Sequence, residues 1–262
     1  MNDNMKWIVG AVVVIGLVVG GVVYRSRNHQ VPGEERAAAV PAKPAPPEEP
    51  AVKYPLPESA TQEPLPPLNA SDGPMKDALE GLIGKESVER FIIPDELVRH
   101  IVVTIDNLST EKVAERQRPA KATPGTFAVG GSEDSPVLDP ANYERYKPAV
   151  QLIRSVDTKL LVATYTRYYP LLQEAYENLG HPPQYFNDRV IEVIDHLLTT
   201  PELQDPIALT QPGVQYQFAD PKLESKSAGQ KLLMRMGRDN GKVIKDKLRE
   251  LRKELLAQQP GK

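Results

Sequence analysis

The sequence contains no cysteine, one tryptophan and four histidines. The absence of cysteine excludes a disulfide framework, a thiolate nucleophile and any metal site built on cysteine ligands. The few histidines limit metal and base chemistry, and none lies in an HExxH motif or in the Glu-x-x-His spacing of di-iron proteins. The sequence therefore predicts no catalytic, cofactor-binding or metal-binding residue.

Three weaker patterns have simpler interpretations. Glu192 and His196 are spaced like two metal ligands on one helix, but this spacing is common by chance and favours a surface pair. Gly81–Lys85 differs from a phosphate-binding loop because its glycines are too close and Glu86 stands where Ser or Thr is needed. Ser132 lacks the G-x-S-x-G surroundings of a nucleophile. A pair of catalytic carboxylates stays open, because only separation in space identifies one.

One long apolar run lies near the start of the sequence. Ile8 to Val23 carries no charge, and Trp7 and Tyr24 border it as aromatic residues border a membrane span. As a helix, residues 7–24 would rise about 27 Å, close to the roughly 30 Å of a bilayer's hydrocarbon core. We therefore expect residues 1–27 to be a membrane anchor that contacts the lipid bilayer, rather than a cleaved signal peptide.

The charges beside this run do not set its orientation, because Lys6 and the amino terminus balance Arg25 and Arg27. A short head without a folded domain favours a single-pass protein of the cytoplasmic (inner) membrane, with its C-terminal domain in the periplasm. The alternative orientation leaves that domain in the cytoplasm.

Residues 28–73 form a stretch rich in Pro, Ala and Glu. Eleven of the 26 prolines lie between Val31 and Ala70. The stretch lacks apolar periodicity, which predicts a disordered, proline-rich tether. Such a tether raises the effective concentration of an anchored domain near a fixed partner.

The remaining residues, 74–258, repeat apolar side chains at intervals of three and four, which predicts one helical domain with one or two short strands. The predicted fold class is therefore mainly α. Thr110–Pro140 loses the periodicity and predicts an ordered loop or small hairpin. We expect helices at Pro74 to Ile83, Glu86 to Ile93, Pro94 to Leu108, Asp157 to Leu179, Asn187 to Thr200, Leu223 to Met236 and Asn240 to Ala257, with strands at Thr126–Val129 and Val214–Phe218.

The predicted domain is rich in tyrosine and contains no tryptophan. Helical spacing favours packing of the rings in the core, and the alternative is a groove for sugar or peptide. The residues concerned are Tyr143, Tyr146, Tyr165, Tyr168, Tyr169 and Tyr176.

The net charge of −3 conceals a basic C-terminal end. Lys222–Lys253 contains eleven Lys and Arg against four acids, so it carries +7 and the remainder carries −10. The near-neutral total argues against a nucleic-acid binder. On the last helix an apolar seam leaves five cations for the solvent-exposed faces. These candidate contacts for an anionic partner are Lys242, Lys245, Arg249, Arg252 and Lys253; the alternative is that they complement their own helix dipole and the acidic remainder.

Several phrases resemble one family. They are TIDNL at 104–108, GTFAV at 125–129, NYERY at 142–146, PLLQEAYENLG at 170–180, QPGVQYQFADPKLE at 211–224 and GQKLLMRMGRDN at 229–240. Their order and wording resemble the bacterial family known as domain of unknown function 3014, over roughly residues 75–256. The resemblance implies an envelope protein of Gram-negative-type bacteria with one amino-terminal membrane helix, and it supplies no activity or catalytic residue.

These observations favour a membrane-anchored, periplasm-facing envelope protein that acts as a non-enzymatic interaction module on a flexible tether, with a protein or cell-wall partner. Two alternatives stay open. One is an anchored envelope hydrolase with an unrecognised carboxylate site. The other is a cytoplasm-facing module that binds anionic lipid or nucleic acid through its basic C-terminal helices.

Overall fold

The structure, a computed structural model, describes residues 52–57, 64–112 and 115–258. The predicted anchor, residues 1–27, and most of the predicted tether lie outside these residues. Within the described ranges, no helix combines the length and the apolar character that a membrane crossing needs. The described residues form a mainly helical domain with two short pairs of strands, as the sequence predicted.

Helices make up most of the described chain. The α-helices are α1 Asp72–Ile83, α2 Lys85–Phe91, α3 Leu97–Asn107, α4 Ala141–Ser155, α5 Thr158–Asn178, α6 Phe186–Leu198, α7 Pro221–Glu224, α8 Ala228–Arg235 and α9 Arg238–Ala257. Short 3-10 helices lie at Leu68–Ala70 and Glu115–Gln117. The strands are β1 Val129–Ser132, β2 Ser135–Leu138, β3 Leu209–Thr210 and β4 Gln217–Phe218.

The longest helix, α5, begins and ends where the sequence predicted. Asp157 caps its start, because the side chain accepts a hydrogen bond of 2.8 Å from the backbone N–H of Leu160. The helix continues through Pro170. It ends before Gly180, whose φ of 96° is a conformation that glycine adopts easily.

Helix α4 was not predicted. Pro148 lies in its interior, and a proline there removes a backbone hydrogen bond and usually ends a helix. A positive signal was nevertheless present, because Tyr146, Val150 and Ile153 are spaced by four and three and are all buried. Pro148 therefore led us to overlook an apolar stripe that does predict a helix.

The predicted helix Leu223 to Met236 is two helices in the structure. Asp220 caps α7 by accepting from the backbone N–H of Lys222, and Ser227 caps α8 by accepting from that of Gln230. Polar residues that favour caps therefore divide the segment, although its apolar spacing is nearly continuous.

The two strand pairs are antiparallel hairpins that lie side by side. Strand β1 pairs with β2, with Val129 opposite Leu138. This confirms a small hairpin within Thr110–Pro140, although the strand predicted at Thr126–Val129 overlaps it by one residue. Strand β4 pairs with β3 over two residues only, which shortens the strand predicted at Val214–Phe218. A bridge between Val137 and Ala208 joins the two hairpins.

Helix α9 lies at the centre of the packing, because it contacts α4, α5, α6 and α8. Three residues of its predicted seam, Ile244, Leu251 and Leu255, are buried in the main core, and Leu248 packs against that core. The seam therefore packs on the domain itself. A second, smaller core lies beneath the hairpins and includes Leu138, Leu209, Phe218 and Met234.

The chain before α1 also contacts the domain. Tyr54, Leu56 and Leu65 pack against the main core, and Leu68 belongs to it. At residues 52–57 and 64–73 the structure therefore differs from the predicted disordered tether. The domain boundary predicted at residue 74 lies inside α1, which begins at Asp72.

Candidate functional site

The five basic residues predicted to meet an anionic partner all lie on α9, but they do not share one environment. Lys242, Arg249 and Lys253 are exposed, Arg252 is half-buried and Lys245 is buried. Two of the five therefore have structural roles in the described chain, and three remain candidates for a partner.

Lys245 corrects the prediction that it faces solvent, because its side chain is only 8% exposed. Its Nζ donates a hydrogen bond of 2.5 Å to the backbone carbonyl of Thr200 and lies 3.8 Å from an Oε1 of Glu202. The amphipathic pattern located the seam but did not reveal that the loop after α6 covers its margin. Lys245 fixes that loop to α9.

Arg252 joins α9 to α6. Its Nε and Nη2 donate to the two carboxylate oxygens of Asp195, at 2.5 and 3.1 Å. The hydrogen bond that it donates to this carboxylate raises the pKa of the Arg252 guanidinium. A two-point pair of this kind fixes the relative orientation of two helices.

The three exposed cations form a partial stripe. Positions 242, 249 and 253 lie within about 60° of one another around a helix of 3.6 residues per turn. Arg249 pairs at 2.6 Å with Asp246 on the same helix. Among the described residues, Lys242 and Lys253 have no ion-pair partner within 4 Å. The stripe therefore presents charge outward without engaging the domain.

A shallow cleft lies beside this stripe, between the loop after α6 and helices α8 and α9. Its internal volume is about 20 Å³, which accommodates one water molecule and excludes a metabolite-sized ligand. Its walls include Thr200, Leu203, Met234, Gly241 and Lys245.

A different surface, at the start of α6, holds a remote segment of the same chain that bends at Lys53 and Tyr54. The backbone N–H groups of Lys53 and Tyr54 donate to the two carboxylate oxygens of Asp188, at 3.0 and 2.9 Å. The side-chain amide of Asn187 donates 2.7 Å to the carbonyl of Tyr54. We call residues 52–57 the docked segment, and Asn187 with Asp188 the docking site.

The docking site is positioned by the core behind it. Asn187 is 2% exposed, and its Oδ1 accepts a hydrogen bond of 3.1 Å from the Tyr165 hydroxyl. Its backbone N–H donates to the Tyr169 hydroxyl at 3.4 Å. Burial raises the pKa of Tyr165, and it raises that of Tyr169 to about 12. Both phenols therefore stay protonated at neutral pH, so Tyr165 can donate and leaves the amide of Asn187 facing the segment.

Asp188 also has a favourable local setting. It lies in the first turn of α6, where the helix dipole stabilises a carboxylate. The segment adds an ion pair at its edge, because Nζ of Lys53 lies 3.6 Å from Glu192. Both side chains of that pair are more than half exposed, so its contribution is small.

The other tyrosines mainly pack in the core, as their spacing predicted. Tyr146, Tyr168 and Tyr176 are at most 6% exposed. The hydroxyl of Tyr168 donates to the carbonyl of Pro74 at 3.0 Å, and Tyr143 donates to Asp205 at 2.6 Å. The alternative of a groove for sugar or peptide stays a prediction; Tyr165 and Tyr169 lie behind the docking site and hold Asn187 through their hydroxyl groups.

The histidines join elements. His181 lies 3.2 Å from Asp106, whose other carboxylate oxygen accepts 2.7 Å from Arg189. This cluster connects α3 to α6, and both oxygens of the carboxylate are engaged. His196 lies 2.9 Å from Oγ of Ser227, the residue that caps α8, so it joins α6 to α8. Within the described ranges, no group of three or more His, Asp or Glu has the arrangement of a metal site.

Sequence reasoning missed the docking site entirely. Asn187 and Asp188 carry no motif, and the docked segment lies more than 130 residues away in a stretch whose composition predicts disorder. The one available signal was the phrase Tyr54-Pro-Leu-Pro57, a run of four apolar residues between Lys53 and Glu58.

Comparison with known proteins places one domain on this chain. A family model described as "Protein of unknown function (DUF3014)" matches residues 97–252. The match runs from α3 into α9 and includes the docking site, and it excludes the docked segment, α1 and α2. No curated protein and no solved structure matches the chain.

Proposed function

Since the chain belongs to the DUF3014 family of proteins of unknown function, whose description names no activity, we propose its function from its own features. It is a non-enzymatic interaction module that is anchored in the cytoplasmic (inner) membrane through residues 7–24. Residues after the anchor tether the helical domain, which faces the periplasm and meets a protein or cell-wall partner.

One observation carries the proposal of an interaction module. The domain holds a remote segment through side-chain contacts to three of its backbone groups. Side chains that bind main-chain groups can hold a peptide with little dependence on its side chains. The apolar run at residues 7–24 supports the anchor.

Two measurements test the anchor and the orientation. A phosphatase that is active only after export and a fluorescent protein that matures only in the cytoplasm are each fused after residue 262. We expect activity from the phosphatase fusion and a dark fluorescent fusion. The reverse pattern would reject the periplasmic orientation. Because Trp7 is the only tryptophan, its emission should shift to the blue when the full chain enters vesicles.

Partner capture tests the interaction itself. A photo-crosslinking residue placed at Leu179, an exposed apolar position after α5, samples the end of the helix pair that carries the docking site. The matched control places the same residue at exposed Lys147 on α4. We expect a reproducible adduct from position 179 and none from position 147 in intact cells. The absence of an adduct at position 179 would count against an interaction module.

The exposed stripe on α9 favours a second candidate, an anionic surface as the partner. Lys242, Arg249 and Lys253 stay outside the packing of the domain. Reversal of all three to Glu should reduce sedimentation of the full chain with phosphatidylglycerol vesicles, and added salt should have the same effect on the native protein. The control reverses three exposed cations elsewhere, Lys147, Arg154 and Lys159. Equal loss in both variants would show that only net charge matters.

A further inference from the structure

The contact between the docked segment and the docking site depends on backbone, not on side-chain identity. Asp188 receives the N–H groups of Lys53 and Tyr54, and Asn187 donates to the carbonyl of Tyr54. Two successive N–H groups on one carboxylate require that neither residue be proline. The site therefore recognises a short segment, bent at Lys53 and Tyr54, by its main-chain groups.

The side chains of the segment add apolar selectivity. Residues 54–57 are all half-buried, and Tyr54 and Leu56 pack against the main core, whereas Lys53 is exposed. Pro55 disfavours helical backbone at Tyr54 and so restricts the free segment toward its docked form.

The docking site belongs to the domain and does not need the segment to form. Asn187 is held by Tyr165 and Tyr169 from the core, and Asp188 lies in the first turn of α6. If the segment leaves, the Asn187 amide and the Asp188 carboxylate lose three hydrogen bonds at a half-buried position. A buried polar group without a partner is unfavourable, so the empty site favours another segment with the same main-chain groups.

Resting on the proposed interaction function, we propose that the docking site recognises a bent partner segment with two consecutive backbone N–H groups, in which the second residue is aromatic and is followed by proline. Residues 52–57 are its occupant within the chain and compete with that partner. The matched family region contains the site and excludes the occupant, so the two are separate parts of the protein. Release of the docked segment thus exposes the site and frees the chain that precedes α1.

The first experiment uses the full chain in detergent and a fluorescent peptide with the sequence of residues 51–58. In one variant, residues 52–57 are replaced by Gly and Ser. We expect the peptide to bind this variant about tenfold or more tightly than it binds the native chain, because the competitor is gone. Equal binding to both, or no binding to the variant, would overturn the proposal.

Matched changes test the chemistry of recognition. In the variant without the segment, Asp188→Asn should weaken binding about tenfold, whereas Asp246→Asn, at an exposed carboxylate on α9, should leave it unchanged. A peptide with proline in place of Lys53 lacks one of the two N–H groups. It should bind as weakly as the unchanged peptide binds the Asp188→Asn variant. Unchanged binding of that peptide would show that recognition depends on apolar contacts only, and it would reject the requirement for two consecutive backbone N–H groups.

A second measurement covers the case in which the replaced chain fails to fold. Amide hydrogen exchange on the native full chain should show protection at Lys53 and Tyr54, and Asp188→Asn should abolish it while α5 stays protected. Fast exchange at both amides in the native chain would overturn the proposal. If a partner were captured at another surface and the peptide did not bind, recognition by the docking site would be rejected, but the proposed interaction module would not.

Discussion

Several buried polar side chains in this domain hold the carbonyls of neighbouring segments. Lys245 binds Thr200, Asn240 donates 2.8 Å to the carbonyl of Tyr143, and Arg235 donates 3.2 Å to that of Tyr216. Arg235 also lies 5.3 Å from the centre of the Phe218 ring, and burial lowers its pKa. Each of these residues fixes a loop to a helix, so their substitution acts on stability.

Lys245→Met should lower the free energy of unfolding by about 1–3 kcal/mol, because it leaves the buried Thr200 carbonyl without its donor. The matched change is Lys242→Met, one turn earlier on α9, where the side chain is exposed. We expect that variant to stay within about 0.5 kcal/mol of the native protein. Urea unfolding of both variants measures the difference, and equal effects would contradict the structural role of Lys245.

Two glycines provide a second matched pair. A Cβ at Gly229 would lie 2.6 Å from a methyl of Leu197 and 2.9 Å from the carbonyl of Leu108, whereas one at Gly81 would meet nothing within 4 Å. Gly229→Ala should therefore destabilise by about 1–3 kcal/mol through overpacking. Gly81→Ala, in the interior of α1, should stabilise by about 0.5–1 kcal/mol.

Thermal melting of the two alanine variants checks these opposite signs. If Gly229→Ala melts at or above the native temperature, the close approach of α8 to the end of α3 is wrong. The approach is also marked by two backbone hydrogen bonds, from Ala228 to Thr110 at 2.7 Å and from Gly229 to Leu108 at 3.0 Å.

Between elements, the junction of α6 and α8 is sensitive to pH. Burial, with the charges of Arg189 and Lys226, lowers the pKa of His196 below its usual value of 6.5. In the unfolded chain the imidazole therefore takes up a proton at a higher pH than in the folded one. Its contribution to stability is complete above about pH 6.5 and declines as the pH falls through that value.

His196→Asn should flatten this part of the pH profile. We expect the loss of stability on acidification from neutral pH to be smaller in the variant than in the native protein, as measured by urea unfolding at a series of pH values. His100→Asn is the control, since His100 lies on α3, outside this junction. Identical profiles for native protein and His196→Asn would contradict the assignment.

At the scale of elements, apolar periodicity predicted most of the domain. Helices α3, α5, α6 and α9 lie close to their predicted bounds because their buried residues recur every three or four positions. Apolar periodicity failed to predict the helices where a local signal, such as a proline or a cap, conflicted with packing. Pro148 hid α4, and the cap at Ser227 broke a continuous pattern into α7 and α8.

For the molecule as a whole, we expect unfolding in one cooperative transition. Helix α9 contacts four other helices, and the hairpins share Met234 of α8 with the smaller core. If one of these helices unfolded, the apolar surface of the helices packed against it would therefore become exposed to solvent. Far-ultraviolet and tyrosine near-ultraviolet circular dichroism should give coincident urea midpoints. Two separated midpoints would show that the hairpins and α8 unfold independently.

The sequence predicted the candidate sites only in part, because some of their residues contact remote parts of the chain. Amphipathic spacing placed Lys242, Arg249 and Lys253 on exposed faces correctly, since that property depends on one helix. It failed for Lys245, which a loop covers, and for Asp188, whose partners lie more than 130 residues away. Contacts that depend on the path of a remote chain leave little trace in local periodicity.

The docking of residues 52–57 on α6 also determines where a mechanical load enters the domain. A pull from any residue before Val52 reaches Asp188 and Asn187 before it reaches α1. Once these contacts and those of residues 64–70 yield, the stretch from Tyr54 to Asp72 can straighten and add roughly 60 Å of contour length. We expect helices α1 to α9 to remain folded during this first extension, because it breaks only the contacts of residues 52–57 and 64–70.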